Sequence, residues 1–159
     1  MNRRAFVLAG LALALALPGY GVAQKERLLS KGEVVLLELA PVDPRSLIQG
    51  DYMRLDYSLT RGLEAQSGWP RDGALVVVLD ANRVATLVRR DDGSALRPGE
   101  LLLRYRKRGQ RLRVGSDAFF FEEGSARRLE AARYAELRVA PDGNSVLAGL
   151  RDGLARPLR

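Results

Sequence analysis

Five arginines alternate with other residues in one short stretch of the chain, and their spacing is the clearest chemical signal in the sequence. Guanidinium groups bind phosphate and carboxylate through two parallel hydrogen bonds. The dipeptide Gly109-Gln110 is typical of a two-residue hairpin turn, which would pair Arg108 with Arg111 and Arg106 with Arg113. Side-chain alternation then predicts one positively charged face, here named the arginine face, consisting of Arg104, Arg106, Arg108, Arg111 and Arg113.

The arginine face has two interpretations. Like charges directly opposite each other destabilise a sheet, typically by up to ~1 kcal/mol per pair, so an anionic partner would relieve the strain. One interpretation is therefore a docking surface for lipid headgroups or for an acidic protein. The other is a solvated face whose charge is neutralised by nearby carboxylates, with candidates Asp56, Glu100, Glu122 and Glu123. The opposite face of the hairpin would be apolar, with Leu103, Tyr105, Leu112 and Val114.

A turn that runs directly into a strand is the second candidate site. Gly50 and Asp51 are turn residues, and the alternation from Tyr52 to Leu59 predicts a half-buried strand. Its core face would carry Met53, Leu55, Tyr57 and Leu59. Tyr52 and Arg54 would lie on the other face, where both residue types favour protein binding. The alternative is structural: Asp51 closes the turn, and Tyr52 packs across the sheet.

Few residue types in this chain could carry out catalysis, because it contains neither histidine nor cysteine. This excludes the Ser-His-Asp triad, cysteine nucleophiles and the commonest zinc ligands. Ser46 with Lys107 weakly resembles the serine-lysine signal peptidases, although Leu-Ile-Gln at 47–49 replaces their Met-x-Pro, and such a hydrolase is the alternative function. The carboxylates of Asp43, Asp51 and Asp56 are close in sequence, but their spacing does not indicate convergence. We therefore expect no catalytic residue, metal or cofactor.

The N-terminal segment predicts export. Arg3 and Arg4 precede an uncharged, mostly apolar run from Ala5 to Leu17, and the small residues 21–23 follow, as in a signal peptide cleaved before Gln24. Residues 5–23 are also 19 residues without a charge, close to the ~20 that span a bilayer, so retention as a membrane anchor is the other outcome. Either outcome predicts a leader over residues 1–23 and one extracytoplasmic domain over 24–159, facing the periplasm or cell exterior.

The charge of the chain favours an acidic partner. The formal net charge is +7, and removing the two leader arginines leaves +5. Such an excess favours anionic lipid, an acidic protein surface or nucleic acid. The predicted location outside the cytoplasm argues against nucleic acid.

The remaining pattern predicts a mainly β fold. Alternating or apolar runs separated by turn residues indicate about eight strands. These strands are 33–40, 52–59, 74–79, 83–90, 100–108, 110–115, 134–140 and 145–151. One short helix is expected over 122–133, and the aromatic residues 119–121 are expected to pack into the core on at least one side. The prediction is an antiparallel sandwich or a partly open barrel, preceded by an N-terminal apolar helix.

The turn and strand at residues 50–57 also carry a family resemblance. Gly50, Asp51, Tyr52, Leu55 and Tyr57 match every fixed position of the GDYXXLXY signature. With the similar segments 39–47, 103–106 and 118–124, the chain after about Lys25 resembles the bacterial GDYXXLXY-motif proteins. The resemblance implies a small, membrane-tethered, extracytoplasmic domain, often encoded beside or fused to multi-spanning membrane proteins. It implies no catalytic residue and favours a multi-spanning membrane protein as the binding or assembly partner. The positive charge of the chain, rather than the resemblance, favours a further alternative function, the binding of anionic envelope lipid or polymer.

Overall fold

The computed structural model describes residues 3–40, 48–49, 52–63, 68–121 and 129–158. It begins with one long helix, α1, over Arg3–Lys31. The described residues form eleven strands, and a short 3-10 helix follows the third of them at Ser58–Thr60. In chain order β1 to β11 are Glu33–Glu38, Ile48–Gln49, Tyr52–Arg54, Asp72–Leu79, Ala85–Arg90, Glu100–Arg108, Arg111–Val114, Ala118–Phe120, Ala132–Val139, Ser145–Asp152 and Pro157–Leu158.

The strands form three antiparallel sheets, which confirms the predicted fold class. Two sheets have four strands, in the orders β1-β9-β10-β11 and β5-β4-β6-β7, and the third has the order β2-β3-β8. A bridge between Leu36 and Val84 joins the two four-stranded sheets, and a bridge between Leu39 and Tyr57 joins β1 to the segment after β3. The sheets therefore wrap around one shared interior.

The core is built from alternate residues of the longest strands. Leu37, Leu75, Leu103, Leu137 and Leu150 are almost completely buried and come from β1, β4, β6, β9 and β10. Burying a leucine side chain stabilises a fold by roughly 1.5–3 kcal/mol. Because these strands belong to both four-stranded sheets, the core holds the two sheets together.

All eight predicted strands are present, but the strand after the signature turn is shorter than predicted. β3 ends at Arg54, because the chain soon after it pairs with the end of β1 instead: the Ala40 N–H donates to the Asp56 carbonyl oxygen at 2.8 Å, and Leu39 forms a bridge with Tyr57. β2, β8 and β11 were not predicted, since two or three residues are too few to show a period. The predicted end of the helix at 122–133 is wrong, because Ala132 already belongs to β9; residues 122–128 lie outside the described part of the chain.

Helix α1 is continuous across the predicted leader boundary between residues 23 and 24, which stays a prediction. The Gly32 N–H donates to the Leu28 carbonyl at 2.8 Å and closes the last turn of the helix. This end of α1 meets β9, because a Cβ at Gly32 would lie 2.9 Å from the Arg138 Cβ. Within the described residues, no helix combines the length and the apolar character that crossing a membrane requires.

A buried carboxylate stabilises the sheet that contains β9 and β10. Glu136 accepts a hydrogen bond from Arg151 Nε at 2.8 Å and forms an ion pair with Arg138 Nη2 at 3.1 Å, and its side chain is only 11% exposed. Removing one partner of such a network leaves buried charge without compensation.

We therefore expect Glu136→Gln to lower the free energy of unfolding by about 2 kcal/mol, because two guanidinium groups lose their carboxylate. Glu33→Gln is the matched control, since Glu33 pairs with Arg83 where both side chains are about half exposed, and its expected cost is below ~1 kcal/mol. Urea denaturation of both variants measures the difference. Equal losses would show that burial of Glu136 does not matter.

Candidate functional site

The structure confirms the predicted β6–β7 hairpin. Arg108 lies opposite Arg111 and Arg106 lies opposite Arg113. Gly109 has a φ of +60°, the left-handed conformation that glycine adopts without cost. The two faces of the hairpin differ as expected. Arginine side chains lie on the accessible face, and the buried face carries Leu103, Tyr105, Leu112 and Val114.

Three of the five arginines are paired with aspartates. Arg106 Nε lies 3.0 Å from Asp72 Oδ1, and Arg111 Nη1 lies 3.9 Å from Asp56 Oδ1. The third pair is Arg113 with Asp117. These contacts offset the repulsion between the opposed arginines.

The predicted neutralising carboxylates were only partly right. Asp56 contacts the arginine face, whereas Glu100 is buried and binds Arg89 at 3.0 Å instead. Glu122 and Glu123 lie outside the described residues. Asp72 and Asp117 were missed as partners, since they belong to β4 and to the segment before β8.

Arg104 and Arg108 have no carboxylate partner among the described residues. Arg104 is bound to the turn between β9 and β10, because its Nε donates to the Asp142 carbonyl at 2.9 Å and its main-chain N–H donates to the Gly143 carbonyl at 2.9 Å. The Arg108 side chain is exposed and makes no hydrogen bond within the described part of the chain. The arginine face therefore keeps two uncompensated positive charges.

The Arg113–Asp117 pair lines two separate cavities. One, of about 350 Å³, is here named the arginine cavity, and its charged lining consists of Arg104, Arg106, Arg108, Arg113, Asp72 and Asp117. The other is a small hollow of about 40 Å³ whose charged lining consists of Arg54, Asp56, Arg111, Arg113 and Asp117. The structure thus brings Arg54 next to the arginine face. The arginine face itself is divided between the two cavities, which meet at the Arg113–Asp117 pair.

A half-buried tyrosine and an exposed phenylalanine form an aromatic pair beside Arg54. Tyr52 on β3 lies opposite Phe120 on β8, with ring centroids 6.0 Å apart, and Phe120 is 76% exposed. Phe119 and Phe121 pack against the core, which confirms the prediction for the aromatic run. Phe120 was missed as a site residue, although alternation could have indicated it, because the middle residue of three must point away from its neighbours. Tyr52, Arg54 and Phe120 are here named the aromatic surface.

The signature residues have different roles. Leu55 and Tyr57 are buried, and the Tyr57 hydroxyl donates to the Ser116 carbonyl oxygen at 2.6 Å. Burial raises the pKa of the Tyr57 phenol well above its ordinary value, and the carboxylates of Asp117 and Asp56 raise this pKa further. Gly50 and Asp51 lie outside the described residues. Among the described signature residues, Leu55 and Tyr57 are therefore structural, whereas Tyr52 is half-buried and partly accessible to a partner.

The structure does not show Ser46 and Lys107 of the serine-lysine alternative close together. Ser46 lies outside the described residues, and Lys107 is half-buried opposite Leu112, on the hairpin face away from the arginines. Asp56 contacts Arg111, whereas Asp43 and Asp51 are not described. Within the described ranges, no three acidic, histidine or cysteine side chains form a group that could hold a metal ion.

A known protein family matches most of the chain. The family model described as "GDYXXLXY protein" matches residues 14–150, which includes α1 from its middle onward and every strand up to β10. No curated protein and no solved structure is significantly similar to the chain.

We expect Tyr57→Phe to lower the free energy of unfolding by about 1.5 kcal/mol, because the Ser116 carbonyl loses a buried donor. Chemical denaturation measures this change. Tyr134→Phe is the control, since Tyr134 is half-buried and its hydroxyl has no hydrogen bond among the described residues; its expected effect is below ~0.5 kcal/mol. An equal effect of the two substitutions would contradict the structural role of Tyr57.

The raised pKa of Tyr57 also predicts how stability depends on pH. Below the ordinary tyrosine value of 10.0, both folded and unfolded chains keep the proton, and the stabilising hydrogen bond is fully present. Above that value the unfolded chain ionises first, so stability falls as the pH rises toward the folded pKa. Between about pH 9 and pH 11, the wild type should lose about 1 kcal/mol more than Tyr57→Phe. Parallel pH profiles in thermal denaturation would contradict this assignment.

Proposed function

The chain belongs to the GDYXXLXY protein family, and from its geometry we propose that it is a non-catalytic, extracytoplasmic binding or assembly partner of an integral membrane protein. The observation that carries the proposal is the aromatic surface, in which two aromatic rings and a guanidinium group lie side by side on the outside of the domain. Tyrosine and arginine dominate the binding energy of protein interfaces, and aromatic rings supply much contact area at little entropic cost.

The exposure of Phe120 supports the proposal most directly. A phenylalanine that is 76% exposed has no hydroxyl to bind water, so covering the ring with a partner is favourable. The ring is also held in a defined place, because the β3–β8 pairing sets it against Tyr52. Such an ordered side chain loses little conformational entropy when a partner covers it.

Helix α1 supports the membrane tether. Its side chains at positions 11, 13, 15 and 17 are leucines that are 55–67% exposed. Apolar surface of this extent is typical of a segment that is covered by lipid or by another protein. Arg3 and Arg4 precede the apolar run, and positive residues favour the cytoplasmic side, so the β domain would lie on the outer side. The proposed partner is therefore a membrane protein with an extracytoplasmic surface near the bilayer.

The non-catalytic part of the proposal rests on composition. Without histidine or cysteine, an enzyme would need carboxylates, lysine or tyrosine as its acid, base or nucleophile. In the described part of the chain the aspartates around the arginine face are engaged with arginines. An aspartate engaged in such an ion pair orients the arginine, and this role accounts for its position without a part in catalysis.

We expect the double variant Tyr52→Ala/Phe120→Ala to lose its membrane-protein partner, because truncating two central aromatic side chains typically weakens an interface by more than about tenfold. The measurement is affinity purification of the C-terminally tagged full chain from gently solubilised membranes, followed by mass spectrometry of the partners. Wild-type recovery of a stoichiometric partner by the double variant would contradict the proposal.

The matched control is Val88→Ala/Leu154→Ala, which also removes two exposed apolar side chains but leaves the aromatic surface intact. This control should retain the partner at the wild-type level. Circular dichroism of both variants tests that the fold is preserved. Mass spectrometry of the mature N-terminus also tests the tether, because a chain that begins at Gln24 would have lost the segment on which the tether depends.

A further inference from the structure

The arginine cavity has the composition of an anion-binding site. Four guanidinium groups and two carboxylates line it, which leaves a net charge of +2. Its volume of about 350 Å³ lies at the lower end of the range for small-molecule sites, which is ~300–1,000 Å³. A small anionic group such as a phosphate therefore matches both the size of the cavity and the sign of its charge.

The arginines of the cavity are arranged for binding. Asp72 holds Arg106 and Asp117 holds Arg113, so that these two guanidinium groups are oriented before any ligand arrives. Arg104 is anchored through Nε alone, and its two Nη nitrogens have no hydrogen bond among the described residues. Arg108 is free of ion pairs in the same part of the chain. Two terminal nitrogens on one guanidinium are the donors that bind a phosphate group bidentately.

The position of the cavity indicates where its ligand comes from. Three residues on its rim, Gly115, Asn144 and Ser145, also line a second cavity of about 420 Å³ between α1 and β10. The α1 side of that second cavity includes Gly21 and Gln24, where the uncharged run of the helix ends. The arginine cavity therefore opens beside the point at which the apolar part of α1 leaves the domain.

A phosphate headgroup is the ligand that this position favours. If α1 tethers the domain to a bilayer, the end of the apolar run lies at the level of the headgroups, where anionic lipids are concentrated. The aromatic surface proposed to bind a protein includes Arg54, which lines the separate hollow on the other side of the Arg113–Asp117 pair. Guanidinium groups near a membrane surface each add to the attraction of anionic lipid.

We propose that the arginine cavity binds the phosphate headgroup of an anionic membrane lipid, with Arg104 and Arg108 as its principal ligands and with Arg106 and Arg113 held in place by aspartates. The inference rests on the membrane tether of the proposed function, but it concerns a different surface and a different ligand. It predicts that the domain is held against the membrane by a lipid contact as well as by α1.

The test uses the purified full chain in uncharged maltoside micelles. Native mass spectrometry measures binding of phosphatidylglycerol and of zwitterionic phosphatidylcholine. We expect phosphatidylglycerol to bind and phosphatidylcholine to bind far more weakly. Arg104→Gln/Arg108→Gln should weaken phosphatidylglycerol binding by about thirtyfold, the effect expected when two arginine contacts with anionic lipid are lost.

The matched control is Arg97→Gln/Arg133→Gln, which removes the same charge from exposed positions that do not line the cavity. Its binding should stay within about threefold of the wild type, since distant exposed charges are screened. An equal loss in both double variants would overturn the proposal in favour of general charge attraction. Equal binding of the two lipids would overturn it as well.

A water-soluble competitor distinguishes lipid from free phosphate. Glycerol 3-phosphate should bind at least about tenfold more weakly than phosphatidylglycerol, because it lacks the acyl chains that the adjoining bilayer or micelle would take up. Equal affinity would mean that the cavity serves a soluble phosphate compound, which overturns the lipid assignment. Tyr52→Ala/Phe120→Ala should leave lipid binding unchanged, so that failure of the protein-partner proposal and failure of the lipid proposal give different results.

Discussion

The register of the β6–β7 hairpin is the constraint on which the rest of the structure depends. Strand side chains alternate with a period of two, so a slip of one residue would move the arginines into the core and the apolar residues into water. Gly109 holds the register, because its positive φ is the conformation that a two-residue turn requires at this position. With this register, β6 contributes Leu103 and Tyr105 to the core and three arginines to the outer face. A single turn therefore positions both the central packing and the charged surface.

The signature segment is joined to this hairpin through a partly buried hydrogen bond. The Tyr57 hydroxyl binds the Ser116 carbonyl just after β7, and the Leu55 N–H binds the Asp117 carbonyl beside it. These two bonds fix the position of residues 55–57 against the end of the hairpin. As a result Asp56 reaches Arg111, and Arg54 lines the same hollow as Arg113. The buried signature residues thus explain how an accessible surface is assembled around them.

The charged and aromatic parts of the surface have different chemistry, and the Arg113–Asp117 pair lies where they meet. On one side the arginine cavity carries an excess of positive charge near the end of the apolar part of α1. On the other side Tyr52 and Phe120 offer ordered aromatic area beside Arg54. The proposed function would use both surfaces, the arginine cavity to orient the domain on the bilayer and the aromatic surface to bind the partner.

Local sequence patterns determined the fold class and the hairpin with its arginine face, because turn residues and period-two alternation act over a few neighbouring positions. They did not determine which carboxylates neutralise the arginines, since Asp72 reaches Arg106 only through the β4–β6 pairing across 34 residues. Nor did they indicate that Phe120 would lie against Tyr52, which depends on pairing between the three-residue strands β3 and β8. Strands of that length have no readable period, and long-range pairs are set by the packing of whole sheets. The tertiary structure alone therefore decided which charges remain free and which aromatic rings meet at the surface.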